Sequence, residues 1–151
     1  MTVSWVELVK QARAANDPER LCEYVPYARF AGIRVEPEAK GFRCCLVYSD
    51  RLVGNPLIPA LHGGVIGALL ESTAILLLLW DSEPGVVPKT VNMSFDFLRT
   101  GRPVDTFAAG RVTKLGRRVA NVRVEAWQDD PARPIAAAHG HFLLTRENND
   151  V

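Results

Sequence analysis

The 151-residue sequence predicts an α+β fold: a curved antiparallel β-sheet wrapped around one long central helix, with a short helical extension in front. Three observations predict it. Residues 61–80, LHGGVIGALLESTAILLLLW, are apolar on nearly every side. A helix of that kind must be enclosed, because a surface helix would keep a polar stripe. From Lys89 onward the chain reads as consecutive strands with short turns, which favours an antiparallel meander. Two more extended stretches precede the helix, and a sheet layered over it is the simplest way to bury both.

The elements follow in order. Trp5, Leu8, Val9 and Ala12 recur at i, i+3, i+4 and i+7, predicting an amphipathic helix over 3–15. Asp17-Pro18-Glu19 predicts a second start, with Asp17 as N-cap and Pro18 as first helical residue, and a short helix to about Tyr24. Residues 1–25 are thus expected as a helical extension of one domain spanning 1–151. Residues 28–37 and 41–49 read as strands of a hairpin turning at Glu38 to Gly41. Residues 50–61, with two prolines and a glycine, read as a loop. The long helix is expected over about 63–80, stopped by DSEPGVVPK. In TVNMSFDF, Val91, Met93, Phe95 and Phe97 alternate with Thr90, Asn92, Ser94 and Asp96, predicting one core-facing and one polar side. Residues 102–115 and 117–128 read as strands around a Gly116 turn, and 133–146 closes the set.

Composition narrows the function classes. A hydrophobic share of 48% in 151 residues is enough for a real core. A net charge of +1 leaves no basic excess to neutralise phosphates along a nucleic acid, so that partner is not expected. The stretch 65–80 is shorter than the roughly 20 apolar residues a membrane span needs and is interrupted by Glu71, Ser72 and Thr73, so a core helix is expected. The N-terminus lacks the basic start and apolar run of a secretory signal. Cys22, Cys44 and Cys45 have no metal-binding spacing and read as reduced, buried thiols of a cytoplasmic protein. No metal or cofactor is expected.

The chemistry concentrates at the front of the long helix. The first amides of a helix lack internal partners and carry the positive end of its dipole. Gly63 and Gly64 have no side chain, so a ligand oxygen can approach those N–H groups closely. The same glycines also fit a plain loop-to-helix turn capped by His62. Glu71 is the one acid in the apolar stretch, and a buried carboxylate needs a partner or a use. It is a candidate base or nucleophile, or else part of a buried polar network with Ser, Thr or Arg. It lies seven residues beyond Gly64 on nearly the same face, roughly 10 Å away. That gap suggests a site shared between two copies related by a two-fold axis, without forbidding a single-chain site.

The segment PALHGGVIGALLESTAI, followed by KTVNMSFDFLRTGRPVDTFAAGRVTKLGRRVANVRVEAW, resembles the hotdog-fold acyl-CoA thioesterases of the phenylacetate-pathway (PaaI-like) branch. The resemblance runs from about Asn55 to Leu144, and its specific part is His-Gly-Gly with an acid nine residues after the histidine. It implies a hotdog fold, a homodimer with dimer-of-dimers assembly open, and hydrolysis of an acyl-CoA. It further implies that the Gly64 N–H polarises the thioester carbonyl and that Glu71 of the neighbouring subunit activates water or attacks directly. Thr90 would assist the acid or the water, Asn55 would orient the nucleophile, and His62 would shape the loop. Gly116, Arg117 and Arg118 would lie near the CoA phosphates.

Other polar residues have plainer readings. Asn55 before Pro56 also fits a turn residue. Arg117 and Arg118 also fit ordinary surface charge. His139 and His141 share a strand face but lack a third ligand at a fitting spacing. Trp5, Trp80 and Trp127 read as core or interface aromatics. Residues Ile75 to Leu79, with Phe95 and Phe97, either limit acyl size or fill the core. Two alternatives to hydrolysis stand: a non-catalytic acyl-CoA or fatty-acyl binding module, and a hydratase or dehydratase, for which only His62 is close enough to pair with Glu71.

Overall fold

The computed structural model describes residues 4–146. Helix α1 (Trp5–Ala14) starts at Ser4, whose side chain accepts from the Val6 N–H, and buries Leu8, Val9 and Ala12. Its end differs from the expected restart. The Asp17 N–H donates to Ala12 O and the Asn16 N–H to Arg13 O, with Asn16 left-handed at φ 49°. This is a Schellman closure of α1. Asp17 therefore closes α1 instead of capping the next helix, and Pro18 takes the cap position of α2 (Glu19–Glu23).

The expected strand over 28–37 begins late. Residues Pro26–Ala31 form helix α3, with Pro26 in its first turn and Gly32 left-handed at φ 83° behind it. Proline at the start and glycine past the end are the stops a short helix needs. The strand itself, β1 (Ile33–Pro37), pairs antiparallel with β2 (Phe42–Leu46), so the predicted hairpin forms. The 50–61 segment holds a 3-10 turn (Asp50–Leu52) and a small ribbon of β3 (Val53–Asn55) and β4 (Ala60–Leu61).

Helix α4 (Gly63–Asp81) is the axis of the molecule. By length and composition it could cross a membrane, but Leu69, Leu70 and Leu78 are fully buried within the protein. Each such leucine contributes about 1.5–3 kcal/mol of burial. The strands β5 (Val86–Phe97), β6 (Thr106–Leu115), β7 (Val119–Trp127) and β8 (Ala136–Arg146) follow. Ala120, Val122, Val124 and Ala126 of β7 face inward together. The six-stranded antiparallel sheet runs β1-β2-β6-β7-β8-β5. The simple meander is therefore corrected: β6, β7 and β8 follow in sequence, but β5 crosses over to pair with β8 at the edge.

The predicted alternation along β5 is also corrected. Its register with β8 shifts between Thr90 and Asn92, leaving Val91 as a bulge. Thr90 lies opposite the fully buried Phe142, while Asn92 lies opposite the exposed His141. One extra residue reverses the phase of a strand. Thr90 thus shares the helix-facing side with Met93, Phe95 and Phe97, not the outer side with Asn92.

At the far end of α4, the Arg13 guanidinium from α1 donates to Leu79 O at 3.0 Å and to Ser82 O. A cation on the last carbonyls satisfies acceptors the helix cannot. This contact ties the N-terminal helix to the end of the core helix.

Candidate active site at the start of α4

The approach to α4 is fixed by backbone bonds. The His62 N–H donates to Leu52 O and the Leu61 N–H to Gly101 O, each at 2.9 Å. His62 is extended (φ −63°, ψ 129°) and is the N-cap of α4: its Nδ1 accepts the Gly64 N–H at 2.8 Å. With Nδ1 as acceptor, the ring proton sits on Nε2. The amides of Val65 and Ile66 donate to His62 O at 3.0 and 3.3 Å. Of the first-turn amides, the Gly63 N–H has no partner among the described residues.

One face of α4 meets the inner side of β5, antiparallel to it. A Cβ on Gly63 would stand 3.5 Å from Phe97 Cε1, and one on Gly67 would stand 3.5 Å from Phe95 Cε1. One turn further on, Glu71 is half-buried and its Oε1 accepts from Thr90 Oγ1 at 2.7 Å. The bulge at Val91 is what brings that hydroxyl to the inner side. Glu71 therefore has a donor in its own chain, while the first-turn amides lie two helical turns away, roughly 10 Å.

The other sequence-predicted residues are placed as follows. Asn55 is exposed, and its Oδ1 accepts from the Leu57 N–H at 3.0 Å, an Asx turn ahead of Pro56; no contact joins it to Glu71 among the described residues. Gly116 and Arg117 line a cavity of about 430 Å³ with Asp81, Ser82 and Arg146, so they flank the C-terminal end of α4, roughly 27 Å along its axis from Gly63. Arg118 is exposed on the same turn. Leu76, Leu78 and Leu79 fill the core, whereas Phe95 and Phe97 remain 37% and 57% exposed. His141 Nδ1 lies 2.7 Å from Asn92 Oδ1 on the outer sheet face, and no group of three metal-ligating side chains forms among the described residues. All three cysteines are free and buried. Desolvation pushes the Cys22 and Cys44 thiols up to about 12 and Cys45 to about 11, so they stay protonated and unreactive.

Sequence reasoning missed two features near this site. The bulge at Val91 has no glycine, proline or composition signal. The sequence predicts strand from 102, yet β6 begins at Thr106 and residues 98–105 pack beside the α4 entry through Gly101.

Comparison with known proteins agrees with this architecture. The chain is 28% identical over 141 residues to the medium/long-chain acyl-CoA thioesterase YigI of Salmonella typhimurium, covering 83% of this chain and 90% of that one. It is 39% identical to a protein of Chromobacterium violaceum of known structure, covering 91% of this chain and 96% of that chain, with a TM-score of 0.74. A phenylacetic acid degradation-related protein from Ralstonia eutropha is 26% identical, covers 83% of this chain and 98% of its own, and superposes with a TM-score of 0.71. Residues 59–135 match the family described as the thioesterase superfamily, a span that holds the α4 entry, Glu71 and Thr90. The chain therefore belongs to the thioesterase superfamily and is a hotdog-fold thioester hydrolase.

Proposed function

We propose that the protein hydrolyses acyl-CoA thioesters at a site shared by two copies of the chain. The observation that carries this reading is the Thr90–Glu71 hydrogen bond, which aims a half-buried carboxylate from the face of α4 that also begins at Gly63. The first-turn amides receive the carbonyl oxygen. Gly63 offers an open N–H at once, and Gly64 offers a second when the substrate oxygen displaces His62 Nδ1. Two such donors stabilise the oxyanion that develops in the transition state. Glu71 of the partner takes the proton of water or attacks the carbonyl, with Thr90 of its own chain holding it in place. Asn55 leaves its Asx turn if it contributes to the water. The acyl-CoA carrier is supported by the likeness to YigI.

The edge of the sheet supports the two-copy arrangement. The outer edge of β5 is unpaired among the described residues, and the strand exposes Val91 and Phe97. A long apolar edge is a template for another strand. Two β5 edges running antiparallel with Ser94 opposite its own copy place Phe97 opposite the partner's Thr90 once the bulged Val91 is skipped. Gly63 lies under Phe97 and Glu71 is bonded to Thr90, so this register carries the partner's Glu71 to the first turn of α4. In this arrangement Phe95 and Phe97 wall the acyl position. Further pairing of dimers would use the outer sheet face. The three protonated thiols support a reducing, cytoplasmic setting.

Glu71→Gln tests the assignment. Turnover of acyl-CoA should fall by at least about a thousandfold, while CoA binding stays within about threefold. Hydrolysis at the wild-type rate would reject Glu71 as the reacting acid. A wild-type protein that binds CoA thioesters without turning any over would favour the binding-module alternative.

A further inference from the structure

The β5–β6 and β7–β8 connections enclose a cavity of about 280 Å³ that the reading above leaves without a role. Its walls carry Arg99, Arg102 and Arg133 together with Gln128, Asp129 and Asp130. Gln128 is 9% exposed and fixes the wall: its side chain accepts from the Arg102 N–H at 3.1 Å and donates to the Arg102 carbonyl at 2.9 Å. Each carboxylate has a donor, but among the described residues only Asp129 has a guanidinium partner, so three arginines face two carboxylates. Asp129 pairs with the Arg102 guanidinium, and Asp130 Oδ1 accepts the Ala132 N–H at 2.9 Å. Arg99 donates one N–H to Pro134 O at 2.6 Å and keeps its others. The Arg133 guanidinium has no partner among the described residues. The cavity thus has a surplus of forked N–H donors.

Its position gives those donors a use. The same connection that carries Arg99 and Arg102 is fastened to the α4 entry, because Gly101 O accepts the Leu61 N–H. A Cβ on Gly101 would meet Ile66 Cδ1, in the first turn of α4, at 3.0 Å. The Gly116–Arg117 cavity flanks the opposite end of α4 in the same chain, so within one chain the arginine-lined cavity is the one beside the α4 entry. We propose that Arg99, Arg102 and Arg133 form a subsite for a phosphate group of the thioester's CoA carrier, an inference that rests on the acyl-CoA reading. Guanidinium forks match phosphate oxygens in geometry and charge. Arg133 makes the first contact, Arg99 adds a second, and Arg102 exchanges Asp129 for the phosphate.

Arg133→Gln removes no internal contact, so it is the first variant to make. KM for an acyl-CoA should rise about tenfold with kcat within about twofold, the loss of one charge-assisted contact. KM for the same acyl group on pantetheine, which carries no phosphate, should not move. A thioester of 3′-dephospho-CoA then locates the contact: an effect that persists assigns the diphosphate, and an effect that vanishes assigns the 3′-phosphate. An unchanged KM for acyl-CoA, or an equal rise on the pantetheine thioester, overturns the subsite. Calorimetric titration with CoA itself reads the site without turnover. Binding about tenfold weaker in R133Q supports the subsite, and equal affinity overturns it. Absence of hydrolysis with this CoA binding intact would reject only the hydrolase reading.

Discussion

His62 and Gly64 share one hydrogen bond, and it defines what each can do. While the bond stands, His62 caps the core helix and the Gly64 amide is closed to ligands. A Cβ on residue 64 would lie 2.8 Å from Nδ1 and 2.9 Å from Cε1 of that ring. Gly64→Ala therefore drives the imidazole aside and leaves a methyl where the thioester must approach. The lost cap should cost about 1 kcal/mol, a fall of about 3 °C in Tm for a chain of this length. Turnover should drop by at least about tenfold in a thiol-release assay. Full activity in G64A would remove the start of α4 from the reaction.

At the scale of elements, the two ends of α4 are finished differently. The N-terminus is closed by a side-chain acceptor that a substrate can displace. The C-terminus is held by Arg13, while Asp81 places a negative charge at the negative end of the helix dipole. Desolvation raises the Asp81 carboxyl above its ordinary value of 3.8, and the nearby Arg13 partly opposes that shift. A carboxyl raised on folding holds its proton more tightly in the folded state, so it lowers stability as pH climbs from about 3.8 through the folded value. Asp81→Asn should therefore be more stable than the wild type at pH 7 and equal to it near pH 3, read from thermal midpoints across that range. A variant less stable at pH 7 would show that the Arg13 attraction outweighs the desolvation.

Elements also show what the sequence could disclose. The enclosed helix was legible because its leucines leave no polar stripe, and the β1–β2 hairpin because Gly41 stands at its turn. Helix α3 was hidden because the segment read as strand, 28–37, begins inside it, with the start signal Pro26 outside that segment and the stop Gly32 within it. The edge position of β5 depends on pairing with a strand about fifty residues away, which no local pattern encodes. At the candidate site, Glu71 was visible as the lone acid of the helix. Its bond to Thr90 required a phase change in β5 that alternation alone argues against. The Arg13 cap joins residues 66 positions apart and has no sequence signature.

On the scale of the whole molecule, the open edge of β5 sets the expected assembly. If Ser94 faces its own copy, Ser94→Cys should give a spontaneous disulfide-linked dimer under mild oxidation, seen as a band of doubled mass on non-reducing gels. The native thiols do not compete, since Cys22, Cys44 and Cys45 are buried. Failure of S94C to cross-link, with a monomeric mass in light scattering, would exclude this register and the shared site with it.

The bulge at Val91 has one more consequence, for how this strand tolerates changes of length. Losing that residue would simply straighten the ladder, because Thr90 and Asn92 already stand on the sides that neighbouring residues of a regular strand would occupy. Losing one residue anywhere between Met93 and Phe97 would instead turn part of the strand inside out and exchange phenyl rings for polar groups against α4. Position 91 is thus the joint at which insertions and deletions can pass through β5 without reshuffling which side chains face the helix.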